Sequence, residues 1–148
     1  MEHGIYGGVI FSAVSGSPQA AGFIPIYADG AGAITTFCRT NSVDFVNEAT
    51  GITLSTATWY HFAVTWDGTG DGKIRVYKDG SLAFTSAGAS TSAMTGLVPM
   101  GFGGLQWADG SYNSFVNADQ SLVGSADEIG LWSKALNATY TTLEPDRR

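Results

Sequence analysis

Charge is scarce in this chain. Only 14% of its 148 residues are Asp, Glu, Lys or Arg, and 7 basic residues face 13 acidic ones for a net charge of −6. That balance opposes binding to nucleic acid backbones or anionic membrane surfaces, and no basic stripe offsets it. Cysteine is nearly absent too. The single Cys38 excludes an internal disulfide. It lies in the strand-like run Ala33 to Arg39 with only Arg39 as nearby positive charge, so it reads as a small buried apolar side chain and not as a reactive thiol. No apolar run reaches the roughly 20 residues that a membrane span requires. The opening MEHGIYGGVIF has no positive segment ahead of an apolar one, so no signal peptide is visible. The chain is then either intracellular or a piece of a longer secreted protein.

What is abundant is glycine, with 20 residues, among many Ser, Thr and Ala. Short apolar runs separated by turn residues recur along the chain, and long helical periods do not, which is an all-β pattern. By size the whole of 1–148 reads as a single domain with a sizeable core. Expected strands are Gly8 to Val14, Phe23 to Ala28, Ala33 to Arg39, Val43 to Asn47, Ile52 to Leu54, Tyr60 to Trp66, Ile74 to Tyr77, Leu82 to Phe84, Leu97 to Phe102 and a closing strand within Val123 to Trp132. Pro25 removes a ladder donor and places its strand near an edge or a bulge. Leu136, Tyr140 and Leu143 have the spacing of a short terminal helix.

The chain is organised around Trp59 to Gly80. Tyr60, Phe62, Val64 and Trp66 alternate with Trp59, His61, Ala63 and Thr65, so neither face of this strand looks solvated and a central position is expected. Asp79-Gly80 favours the tight turn with positive φ angles that matches strand twist, making a three-strand meander with Leu82 to Phe84. Trp59, Phe62, Val64, Trp66 and Trp132 are expected to be mostly buried between two sheets. Ala87 to Thr95, almost entirely small residues, reads as a loop or a weak flat strand.

Three motifs stand in order: Trp59-x-His61-x-Ala63-Val64-Thr65-Trp66-Asp67, then Val76-Tyr77-Lys78-Asp79-Gly80, then Gly124-Ser-Ala-Asp127-Glu128-Ile-Gly-Leu131-Trp132-Ser-Lys-Ala135-Leu136. Together they resemble the bacterial laminin-G-like, concanavalin-A-like jelly-roll domains over most of Gly8 to Leu143. The resemblance implies an all-β antiparallel two-sheet jelly-roll sandwich and an extracellular or cell-surface location. It makes Trp59, His61, Trp66, Asp79, Gly80 and Glu128 structural motif positions. In such relatives the acidic residue that opens the closing strand often helps hold a structural calcium, so Asp127 is the candidate metal ligand; the alternative is a hydrogen-bonded structural carboxylate. The family's usual first strand, of the type Phe-Thr-Ile-x-Ala-Trp-Val, has no counterpart in MEHGIYG. The closing strand Ala126 to Trp132 is then expected to lack a lateral partner and to recruit a second copy, giving a homodimer through the sheet edge with Gly4 to Phe11 at the contact. The alternative is that Met1 to Gly7 folds back on its own sheet.

That fold hosts lectins, adhesion modules and glycan enzymes alike. Glycan hydrolases on it use Glu-x-Asp-x-x-Glu on one strand, and Glu2, Glu48, Glu128 and Glu144 form no such motif. There is no Gly-x-Ser-x-Gly turn and no Cys/His spacing for zinc. His61 reads as a buried, hydrogen-bonded imidazole. The loop Asp67-Gly-Thr-Gly-Asp71-Gly offers oxygens to a cation but lacks the EF-hand order, and reads more simply as a solvated hairpin loop. In GGLQWADGSYNSFVN, Trp107, Asp109, Tyr112 and Asn113 combine an aromatic face with hydroxyl-binding side chains, the residue types that hold sugars; the alternative is a long loop pinned by its own aromatics. The expectation is a non-enzymatic module that binds carbohydrate or a glycan-bearing surface, as in lectins and adhesion proteins. A structural or assembly module of a surface or tail-fibre protein is the second reading, and a glycan hydrolase or lyase the third.

Overall fold

Alternating apolar and small polar residues become eight strands: β1 (Gly8–Ser15), β2 (Ala21–Ala28), β3 (Ala33–Arg39), β4 (Phe45–Thr53), β5 (Phe62–Trp66), β6 (Ile74–Lys78), β7 (Ser81–Thr85) and β8 (Met100–Phe102). The computed structural model describes residues 8–15, 21–40, 45–91, 100–102, 124–133 and 135. Every pairing is antiparallel. β4-β3-β2-β1-β8 form a five-stranded sheet and β5-β6-β7 a three-stranded one. There is no helix among the described residues. The helix expected from Leu136, Tyr140 and Leu143 lies outside them.

The two sheets meet face to face through the inward half of each alternation. On β3 the odd and even positions separate cleanly, with Ile34, Thr36 and Cys38 buried. Cys38 and Val46 from the large sheet pack with Ile74 and Val76 from the small one, and Ile52, Phe62, Val64, Trp66 and Phe84 close around them. A second cluster, Ile26, Ala28 and Ile34, shares Ile52, Phe62 and Val64 with the first. Phe62 and Val64 therefore join both halves of one sandwich core. The arrangement is an antiparallel two-sheet sandwich, as expected.

Local chemistry sets the turns and irregularities. Asp29 Oδ1 accepts the amides of Ala31 and Ala33 at 2.9 and 2.8 Å, forming the β2–β3 turn. Asp79 (φ 49°) and Gly80 (φ 80°) are both left-handed, the two-residue hairpin expected of Asp-Gly. Pro25 sits where the β2–β3 register shifts, between Ile24 and Tyr27, so the missing donor falls in a bulge. It is not at an edge, because β2 lies between β1 and β3.

Several expectations need correction. Val43 to Asn47 and Ile52 to Leu54 are not separate strands; β4 runs through from Phe45 to Thr53. The polar residues between them are accommodated because Thr50 Oγ1 donates to the Ile34 carbonyl at 2.9 Å, beside a bulge at left-handed Gly51. The three-strand meander is present, but its centre is β6, and β5 is the outer strand of its sheet among the described residues. Half-burial of every β5 residue produced the appearance of a central strand. Phe62, Val64 and Trp66 are half-buried, whereas Trp59 is 70% and Trp132 63% exposed. The described part of the closing segment, 124–133, carries no strand and is exposed throughout. Phe11 pairs with Ile26 on one side and Phe102 on the other, so it does not lie at an open edge.

Candidate functional site

Among the described residues, the end of the small sheet where β5 begins and the β6–β7 hairpin turns carries a connected set of polar contacts. Phe62 pairs with Lys78 there, and one step further out the ladder continues through a side chain. The His61 amide donates to Asp79 Oδ1 at 3.0 Å, and the Asp79 amide donates back to the His61 carbonyl at 2.9 Å. Asp79 Oδ2 holds Lys78 Nζ at 3.1 Å, and the same ammonium lies 4.5 Å from the centre of the Tyr60 ring. Tyr60 Oη in turn accepts the Ser55 amide at 3.1 Å. Hydrogen bonding from the His61 amide, then from Lys78, keeps the Asp79 carboxyl below its ordinary pKa. Bonds from Ser55 likewise lower the Tyr60 phenol. At this fixed end stand exposed side chains: Trp59, His61, Asp79 and, after the turn, Leu82 at 54% exposure.

A second polar constellation ties the sheets together. Glu48, on β4, takes the amides of Ala87 and Gly88 on its two carboxylate oxygens at 2.8 and 2.7 Å. Lys73 Nζ donates to the carbonyls of Ser86 and Ala87 at 2.9 and 3.0 Å. Deeper in, Ser86 Oγ accepts the Ile74 amide at 3.0 Å, and Thr40 and Ser90 share a 2.7 Å hydroxyl bond. Trp66 Nε1 donates to the Ser90 carbonyl at 3.0 Å. Gly72, at φ +66°, lies so close to Ser90 that a Cβ would meet its carbonyl oxygen at 2.8 Å, and its own carbonyl accepts the Ser90 amide. Burial in this environment pushes the Cys38 thiol up to about 12. Ala87 to Thr95 reads from sequence as a loop or a weak flat strand, and its tie to the other sheet gives no residue-type signal because the side chains are small and the contribution is backbone carbonyls and amides.

The motif positions divide. Trp66 and Asp79 work as structural residues, Gly80 as the turn, and Cys38 is the buried free thiol expected. His61 is not a buried imidazole; its residue is exposed and it serves the motif through its backbone. Asp67 Oδ1 is taken by Thr69 and Gly70, and Asp71 pairs with Arg75 and the Lys73 amide, so this loop holds itself together. Asp127 is exposed and its Oδ1 accepts the amide of Glu128, itself left-handed at φ 53°. Among the described residues no group of three or more His, Cys, Asp or Glu could hold a metal ion. Trp107, Asp109, Tyr112 and Asn113 lie outside the described residues.

Comparison with known proteins fits this architecture. No curated protein matches the chain. Among solved structures, the native heptameric SAP-like pentraxin from Limulus polyphemus superposes with a TM-score of 0.62 at 20% identity, covering 94% of this chain and 63% of that one. An S-layer domain-containing protein (residues 221-444) from Clostridium thermocellum ATCC 27405 aligns with a TM-score of 0.41 at 18% identity, covering 96% of this chain and 64% of that one. The chain thus spans less than two thirds of either. At such identity the pentraxin likeness establishes the fold, a jelly-roll sandwich. The Laminin_G_3 family model, described as the concanavalin A-like lectin/glucanases superfamily, matches residues 4–140, and the chain belongs to that family.

Proposed function

We propose that the chain is a non-catalytic, lectin-like module that binds carbohydrate or a glycan-bearing surface outside the cell. The observation that carries this reading is how four carboxylates among the described residues are engaged. Glu48, Asp67, Asp71 and Asp79 each hold backbone amides, and Asp71 and Asp79 also hold a neighbouring cation. A glycosidase acid must have its pKa raised. Asp71 and Asp79 are moved the other way, the former chiefly by its bond to Arg75 and the latter chiefly by the His61 amide. Those are the surroundings of structural carboxylates, which supports a binding role over hydrolysis in a family that contains both.

Trp107, Asp109, Tyr112 and Asn113 are the proposed ligand residues of the segment Gly103 to Asn117. Glycan-array binding by the purified chain, lost on Trp107→Ala, is the expected result. Turnover on a polysaccharide panel would favour a hydrolase or lyase, and binding to nothing would favour a structural module. Calcium at Asp127 belongs to the same proposal, with its remaining ligands drawn from outside the described residues; a melting temperature lowered by chelator and restored by calcium tests it. Self-association is the remaining part. β5 has no charged residue, no proline and no register shift against β6, so nothing within the strand itself blunts its outer side. Because His61 and Asp79 exchange bonds, Ala63 and Thr65 face β6 by alternation, and the amides and carbonyls of Phe62 and Val64 point to that outer side. A second copy paired along β5 forms the proposed dimer.

A further inference from the structure

We propose that residues 86–90 form a releasable clasp, rooted on the small sheet and latched to the large one by Glu48, that opens over Cys38 without unfolding the sandwich. The roots are at its two ends. The Ser86 amide donates to the Ile74 carbonyl at 2.9 Å and its Oγ accepts the Ile74 amide at 3.0 Å, while the Ser90 amide donates to the Gly72 carbonyl and its carbonyl accepts Trp66 Nε1–H. Between these buried ends, Ala87 and Ala89 are exposed and Gly88 is half-buried. Such a stretch has no large apolar side chain to anchor it, so polar contacts keep it in place. On the other side it closes on β3 and β4. Cys38 and Val46 are register partners there: the Ser90 side chain is bonded to the Cys38 thiol, and a Cβ on Gly88 would stand 3.6 Å from Val46 Cγ2. Thr40, just past β3, shares its hydroxyl bond with Ser90 as well.

The latch is one peptide group polarised from both ends. Glu48 Oε2 takes the Ala87 amide at 2.8 Å while Lys73 Nζ donates to the Ser86 carbonyl of that same peptide at 2.9 Å, so a carboxylate of the large sheet and an ammonium beside β6 are joined through it. Glu48 Oε1 adds the Gly88 amide at 2.7 Å. Hydrogen bonds in such a chain strengthen one another, and removing either charge weakens the other contact. The carboxylate also has a second position to go to. Thr36 is the register partner of Glu48 on β3, so their side chains share a face, and Thr36 Oγ1 is fully buried with no hydrogen-bond partner among the described residues. That hydroxyl, unpaired while the clasp is shut, is satisfied when Glu48 turns from the clasp toward it. Two arrangements of one carboxylate make the clasp a two-state element.

The test uses Cys38 as a reporter in the whole chain. A chromogenic disulfide is added at pH 8, without urea and at urea concentrations below the unfolding transition, to the unaltered chain, Glu48→Gln and Lys73→Met. The unaltered chain should stay protected, whereas each variant should label at least about tenfold faster without urea. Those rates should depend on urea far less than global unfolding does, because a local opening exposes little surface. In the double variant the gain should fall short of the product of the two single gains, since both substitutions release one peptide. Adding Thr36→Val to Lys73→Met, which removes the hydroxyl at nearly constant shape, should return labelling toward the unaltered rate. If Glu48→Gln does not fold, Lys73→Met decides. The clasp is overturned if the folded variants stay protected up to their own unfolding transitions, or if their labelling rises with urea as steeply as unfolding does. Gains that multiply overturn the shared peptide, and labelling of Lys73→Met unmoved by Thr36→Val overturns the second position of Glu48.

Discussion

Asp79 and His61 close a ring of two hydrogen bonds, the carboxylate accepting one amide at 3.0 Å while its own amide donates to the opposite carbonyl at 2.9 Å. The sequence separation of the two residues made each look like a motif position of its own. In the fold they are one device that carries the β5–β6 ladder one step beyond the last regular pair, with a side chain standing in for a backbone acceptor.

Acid should weaken this device. The Asp79 and Asp71 carboxyls are depressed, by the His61 amide and by Arg75 respectively as their largest causes. Their stabilisation is fully present above the unfolded aspartate pKa of about 3.9 and is lost as pH falls through the lower folded values. Urea midpoints measured from pH 6 down to pH 2 should fall in that acid window. Asp79→Asn, which keeps an acceptor and tolerates the left-handed backbone, should flatten the fall; Asp79→Ala should destabilise at every pH.

Glu48 is expected to matter more than its partial exposure suggests. Glu48→Ala strands the Ala87 and Gly88 amides, and a charge-assisted bond of this kind is worth on the order of 2 kcal/mol. Denaturant unfolding should show a loss of roughly 2–3 kcal/mol, with Glu48→Gln recovering part of it through its one remaining oxygen. A loss below about 0.5 kcal/mol would mean that the tie between β4 and the 86–88 segment is decorative.

Tryptophan and isoleucine should behave opposite to their size. Ile74 is fully buried on the central strand of the small sheet, and Ile74→Ala should cost about 2–5 kcal/mol. Phe62→Ala, at a half-buried position touching both core clusters, should cost about 3 kcal/mol. Trp132→Ala, at an exposed position, should cost under about 1 kcal/mol. Thermal melts of the three variants check the ordering.

Cys38 should resist thiol reagents in the native state. Burial pushes its pKa to about 12, so almost no thiolate forms at pH 8, and none of it is accessible. Labelling with a chromogenic disulfide should proceed only as urea unfolds the chain. The raised value also makes its contribution to stability complete below the unfolded thiol pKa of about 8.5 and progressively lost as pH rises above it.

Light scattering at micromolar concentration tests the proposed pairing along β5. A mass above the 15.5 kDa of one chain, falling on dilution, is expected; a monomer mass that does not change on dilution rules the dimer out.

Most of the strands were legible because alternation is written into them, as in Ile34, Thr36 and Cys38 facing inward from β3. β4 was read in two pieces because Glu48 and Gly51 look like interruptions; their roles as a cross-sheet acceptor and a bulge need the other sheet to be seen. The inner or outer rank of β5 was not legible either, since half-burial of both faces gives the same pattern at a covered edge as at a centre. Of the candidate site, the Asp79–Gly80 turn could be read from propensity alone. The exposure of Trp59 could not, because residue type argues for burial and only the assembled sheet shows otherwise.

The place of β1 between β2 and β8 has a consequence for how the chain is made. Its first partner follows almost at once, but Phe11 waits for Phe102. At roughly 5–20 residues per second of synthesis, the second side of β1 stays unsatisfied for on the order of 5–20 seconds while the intervening chain emerges. During that interval an apolar strand is open to any neighbouring nascent chain, and pairing of such distant segments is intrinsically slow. Yield in a cell-free system should therefore be limited by aggregation of chains truncated before β8, and prefixing the β8 segment ahead of β1 in a circular permutant should relieve it.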